Sequence, residues 1–176
     1  MTLQSFVVIG SLITLCLTIS CRGLAYRNPT ENMLPTISPK DMCVVNPVAY
    51  TTDKIERFDI VIFEMPEELK KFTRSEGEVR VMMRVIGLPG ETIELRENDV
   101  FINDQLLREP FETIAEADDQ RRNFGPVVVP EMEYFVLSDN RANSMDSRYT
   151  EYSTIKRAAI YSKVVEIKRG FYSDNR

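Results

Sequence analysis

The 176-residue chain contains no histidine. That absence removes the Ser-His and Cys-His nucleophile pairs, the HExxH zinc site and the imidazole pH switch together. Cysteine is scarce as well. Cys16 and Cys21 lie in or beside an apolar N-terminal stretch, which leaves Cys43 alone in the remainder. A lone thiol closes no intramolecular bridge, and the CxxC spacings of zinc and redox sites are missing. Cys43 therefore reads as a small buried hydrophobe, and no metal and no cofactor are expected. Positive charge is also short: 22 Lys+Arg against 27 Asp+Glu give a formal net charge of −5. That balance argues against a nucleic-acid binder that relies on a global basic field. With 43% hydrophobic residues, 7 Gly and 9 Pro, the chain is neither disordered nor collagen-like. Its length suits one domain with a small appendage.

Long hydrophobic runs are limited to one. Ser5–Ser20 (SFVVIGSLITLCLTIS) carries no charge. Extended to Cys21, it reaches about 17 residues, the lower limit for a spanning helix. Residues 1–21 thus read as an N-terminal apolar helix, serving as a membrane anchor or signal-like segment. A lipid on Cys21 and a cleaved peptide stay open as alternatives. No Lys or Arg precedes the run, while Arg22 and Arg27 follow it. The positive-inside rule taken alone places the following domain in the cytoplasm.

Residues 22–176 read as almost entirely strand. Asp59–Phe63, Val79–Ile86, Thr92–Leu95, Asp99–Ile102, Tyr134–Leu137 and Val164–Lys168 are short runs rich in β-branched and aromatic residues. Asn103-Asp104 is expected as a hairpin tip leading into Gln105–Leu107. Glu67–Phe72 is expected as one or two helical turns. Arg108–Arg122 reads as an exposed loop or a small excursion from the core, and Gly170–Arg176 as a frayed tail. Closely spaced turn signals favour an all-β fold, a mainly antiparallel barrel or sandwich, with a small inserted hairpin or loop region within 92–137.

Three segments narrow the reading. They are Pro29–Thr36 (PTENMLPT), Met83–Glu91 (MRVIGLPGE) and Ser138–Tyr149 (SDNRANSMDSRY). In this order, linked by RFDIVIF, VFIN and GPVVVP, they resemble the bacterial type I signal peptidases. Those are membrane-anchored Ser-Lys serine proteases of the S26 type that remove signal peptides from exported preproteins. The resemblance covers nearly all of the chain. It implies a largely antiparallel β domain on the outer, periplasmic side of the bacterial inner membrane, held by a single-pass anchor or, alternatively, by lipidated Cys21. It also implies membrane and exported-preprotein partners and no nucleic acid.

The same resemblance assigns roles. The nucleophile position, before Met33-Leu34-Pro35, holds Asn32. The general-base position, before Arg84, holds Met83. A carboxamide is not a nucleophile, and a thioether binds no proton at neutral pH. Both dyad residues are therefore absent, and a catalytically inactive homologue is expected. Thr30 matches the oxyanion hydroxyl, and Ser144 the residue that orients the base. Asp139 is expected to pair with Arg84, and Asp146 with Arg148. Ser138 stands where the family has glycine. Without a lysine, the Ser144 hydroxyl needs a partner from backbone or water. Met33, Leu34 and Pro35, with the Val81–Ile86 strand, are candidates for a peptide groove or, equally, for core and membrane-facing surface. Binding of exported precursors, or assistance in the assembly of a secreted or surface structure, beside an active signal peptidase paralogue, is the expected role. A relocated Ser38-Lys40 dyad with residual activity is the alternative, and a decayed copy without a role is a third.

Overall fold

The computed structural model describes residues 24–70, 77–115, 121–142, 144–149 and 153–172. The expected N-terminal helix and Cys21 lie outside them. Among the described residues, no helix is long and apolar enough to cross a membrane.

The strands are β1 (Leu24–Tyr26), β2 (Met42–Asn46), β3 (Ile60–Glu64), β4 (Arg80–Gly87), β5 (Thr92–Arg96), β6 (Asp99–Ile102), β7 (Gln105–Leu106), β8 (Phe124–Val128), β9 (Glu133–Leu137), β10 (Ile155–Lys156) and β11 (Ile160–Lys168). Seven of them form one sheet in the order β1-β2-β11-β3-β4-β9-β10, and β7-β6-β5-β8 form a second. Every pairing of named strands is antiparallel. The fold is thus mainly antiparallel β, and the larger sheet curls. Tyr26 on outermost β1 donates its hydroxyl to the Arg80 carbonyl of β4, although β2, β11 and β3 separate the two strands in the sheet.

The central strands are buried on both faces, which explains their near-continuous apolar sequence. Period-two alternation sends Val61, Phe63, Met83, Val85 and Val136 into one core cluster. It sends Ile60, Ile62 and Met82 to the opposite face, with Met33, Ile37 and Cys43. A third cluster, around Ile93, Leu95 and Phe135, joins the second sheet to the first. Gly87 stands at the β4–β9 bulge, where a Cβ would come within 2.9 Å of the Phe135 Cβ.

Two expectations need correction. Arg108–Arg122 is not simply an exposed loop. Phe111 packs edge-on against Phe58 at 5.5 Å and lies under the Arg84 guanidinium at 3.9 Å. Ile114 bridges to Asn140, and Arg121 reaches the Ser144 carbonyl. Nor is the start of the Gly170–Arg176 tail frayed. Gly170 and Tyr172 donate backbone N–H groups to Asp41 and to the Lys40 carbonyl, and Arg27 stacks over the Tyr172 ring. The helical turn is observed as Glu67–Lys70.

Candidate functional site

The three motif segments meet at one end of β4. β9 stops opposite Arg84, so the outer edge of Arg80–Met83 lies beyond it. The loop after β1 covers that edge. Beneath it opens a cleft of about 380 Å³, whose walls include Asn32, Val81, Met83, Arg121, Ser144 and Tyr149.

Asn32 and Met83 stand on the same cleft. The Asn32 carboxamide is fully engaged. Its Nδ2 donates to the Met82 carbonyl at 2.7 Å. Its Oδ1 accepts from Asn28 Nδ2 at 2.8 Å and from Thr30 Oγ1 at 2.7 Å. The Asn32 carbonyl accepts the Asn140 N–H at 2.9 Å. Thr30 is thus tied to a side-chain amide, its hydroxyl spent on Asn32 and on Asn28 Oδ1 at 3.0 Å. Met83 is 3% exposed and packs with Val61, Val85 and Val136. In this setting a lysine would pay a desolvation penalty.

Ser144 has found a partner, and it is a side chain. Its hydroxyl meets that of Ser138. Ser138 thus satisfies the Ser144 hydroxyl from within the same segment.

The supporting side of the site is charged and buried. Arg84 holds Asp139 through two bonds, Nε to Oδ1 at 2.8 Å and Nη2 to Oδ2 at 2.5 Å. It also donates to the Phe58 carbonyl at 3.1 Å. Arg148 holds Asp146 at 2.8 and 3.0 Å and reaches the Arg141 carbonyl at 2.7 Å. Arg141 in turn binds the Ser138 carbonyl and Glu109, each at 2.6 Å. These forked charge-assisted bonds fix the third motif against β9.

Met33 is fully buried in the core beneath β2 and β3, with no exposed surface to line a groove. Leu34 is half-buried and Pro35 exposed, and neither stands on the cleft wall. Ser38 and Lys40 lie apart from the cleft. The Ser38 hydroxyl accepts the Lys40 backbone N–H at 3.1 Å. Its own N–H goes to Asp41. Burial raises the Cys43 thiol to a pKa of about 11. Met65, Arg121, Met145 and Tyr149 also line the cleft. Met65 continues the parity of Val61 and Phe63, a signal the sequence carries. Arg121 comes from a polar stretch with no such signal, and its guanidinium lies 5.0 Å from the Tyr149 ring centre.

Comparison with known proteins matches this arrangement to a family. The model for signal peptidase, peptidase S26, matches residues 2–168. The chain belongs to that family. A signal peptidase I of Leptolyngbya laminosa is 40% identical over 124 residues, 70% of this chain and 59% of the relative. Signal peptidase I P of Bacillus subtilis subsp. natto is 36% identical, over 67% of this chain and 62% of the relative. The crystal structure of a signal peptidase I from Enterococcus faecalis V583 superposes with a TM-score of 0.50 at 33% identity. It covers 65% of this chain and 98% of that one. The chain spans about three fifths of the length of these two curated relatives.

Proposed function

We propose that this S26-family chain binds segments of exported preproteins in the cleft and does not hydrolyse them. One observation carries the reading. The group at the nucleophile position, Asn32, is a carboxamide spent on three side-chain hydrogen bonds, and the group at the base position, Met83, is a thioether. Among the described cleft residues, no amine stands beside a hydroxyl in the way a Ser-Lys mechanism needs. The relatives' names supply the ligand class, signal peptides. The apolar floor of Val81, Met83 and Met145 suits small apolar side chains, because methionine adapts to varied partners. Residues 1–21 hold the domain to the outer face of the membrane, either as a single-pass span or through lipidated Cys21. An active signal peptidase in the same membrane is the natural partner of such a binder.

The test pairs binding with processing. Full-length protein in detergent is titrated with a fluorescent signal-peptide segment and is also incubated with the intact preprotein. Saturable binding that weakens at least tenfold in Val81→Asp, with the preprotein uncut, supports the reading. Turnover by the unaltered chain, or binding indifferent to Val81→Asp, overturns it.

A further inference from the structure

The outer edge of β4 is the part of the cleft that could take an added strand, and it is already occupied. In the β3–β4 ladder, odd-numbered residues of β4 bond toward β3. Val85 exchanges both of its backbone bonds with Phe58 and Asp59, and the Val79 carbonyl accepts from Met65. The ladder is regular from Arg80 to Arg84, so the backbone groups of Arg80 and Met82 face the opposite, outer edge. Both carbonyls there carry side-chain donors. The Tyr26 hydroxyl reaches the Arg80 carbonyl at 3.3 Å. The Asn32 amide reaches the Met82 carbonyl at 2.7 Å. The second contact is the stronger by length and is better fixed. Asn28 and Thr30 both donate to Asn32 Oδ1, which orients the amide with its N–H on Met82.

We infer that Asn32 is a latch on this edge and a specificity-determining residue for peptides entering the cleft. An extended peptide that pairs with β4 must place its own N–H on the Met82 carbonyl and displace the Asn32 carboxamide. A ligand that inserts only side chains between Val81, Met83 and Met145 need not. The latch therefore selects against strand-adding ligands by the worth of one hydrogen bond, about tenfold in affinity. Serine is too short to span from the loop to β4 while holding Asn28 and Thr30, so the replacement at position 32 both removes a nucleophile and closes an edge. This inference rests on the peptide-binding reading above.

The test uses the full chain and two forms of one apolar signal-peptide segment. The second form is N-methylated at the residue facing Met82, which deletes one N–H and little else. The unaltered protein should bind both forms with similar affinity. Asn32→Ala should bind the unmethylated form about tenfold tighter and lose that gain on N-methylation. Asn32→Asp keeps the acceptor for Asn28 and Thr30 but cannot donate to Met82, and should behave like Asn32→Ala. Equal affinity of the three proteins, or a gain indifferent to N-methylation, overturns the latch and leaves peptide binding standing. Absence of binding to all three proteins overturns peptide binding and the latch with it. The carbonyl 13C shift of Met82 gives a readout that needs no peptide, because the Asn32 amide bonds to that carbonyl. It should move upfield in both variants, and an unchanged shift in variants that keep their Tm would count against the latch.

Discussion

The two sides of the site differ in chemistry. On one side, Arg84–Asp139 and Arg148–Asp146 are ion pairs in almost complete burial. On the other, the positions that a Ser-Lys mechanism would fill hold a neutral amide and a thioether. The difference follows from what each group holds together. Each buried guanidinium binds a carboxylate and a backbone carbonyl, so its desolvation is offset by several bonds. A buried lysine in the Met83 slot would have no carboxylate among the described cleft residues except exposed Glu31. For stability alone, neutral side chains there are the better solution. The polar contacts agree with this. Asn32 bonds to Asn28, Thr30 and Met82, and Ser144 to Ser138, so the hydroxyls and the amide at these positions have partners.

Breaking the charged side should have the largest effect. Asp139→Ala leaves Arg84 buried and uncompensated, and urea unfolding should show a loss of about 3–5 kcal/mol. Met83→Leu, the matching change on the vacated side, should cost under about 1.5 kcal/mol. A similar loss for both would erase the contrast.

Met83→Lys should reverse the contrast locally. Burial lowers the pKa of an introduced lysine, while in the unfolded chain it stays near about 10.4. Between those two values the unfolded state binds more protons, so the variant's stability relative to the unaltered protein should rise with pH. A flat difference from pH 6 to 10 would show that residue 83 is solvated.

Smaller effects probe the rewiring. Asn32→Ser should lower stability by about 1–2 kcal/mol through lost hydrogen bonds. Ser138→Gly alone should destabilise by about 1 kcal/mol, since it strips Ser144 of its partner. In a Met83→Lys background the same change should cost less, because Ser144 is then free to meet the lysine. A double-mutant cycle would read a coupling of about 0.5–3 kcal/mol, and strict additivity would dismiss the exchange of partners. Smallest of all, Cys43 in a Cys16→Ser/Cys21→Ser protein should resist thiol reagents at pH 8. It is buried and its pKa lies near 11. Rapid labelling without denaturant would place it at the surface.

The sequence carried much of the fold and the identity of the site positions. β3, β4, β5, β6 and β9 are runs of β-branched and aromatic residues long enough to reveal themselves. β1, β2 and β10 are short or mix polar residues, and they become strands only because the curled sheet pairs them. β8 contains Gly125-Pro126, which obscures its pattern. Phe111 and Ile114 sit in a polar stretch where local composition points outward, yet tertiary packing turns them toward Arg84 and Asn140. Motif spacing pointed to Asn32 and Met83, which the fold brings to one cleft. It held no information about which donors Asn32 would take, since that depends on where β9 ends and leaves the Met82 carbonyl uncovered.

The most direct test of the proposal that the cleft binds without hydrolysing is single-turnover processing. A preprotein is incubated with a molar excess of the full chain, alongside the Asn32→Ser/Met83→Lys/Ser138→Gly variant. The unaltered chain should leave the preprotein intact after prolonged incubation, whereas the triple variant should release mature protein. Mature protein released by the unaltered chain would contradict the account, and its disappearance in Ser38→Ala or Lys40→Ala would assign the turnover to those residues.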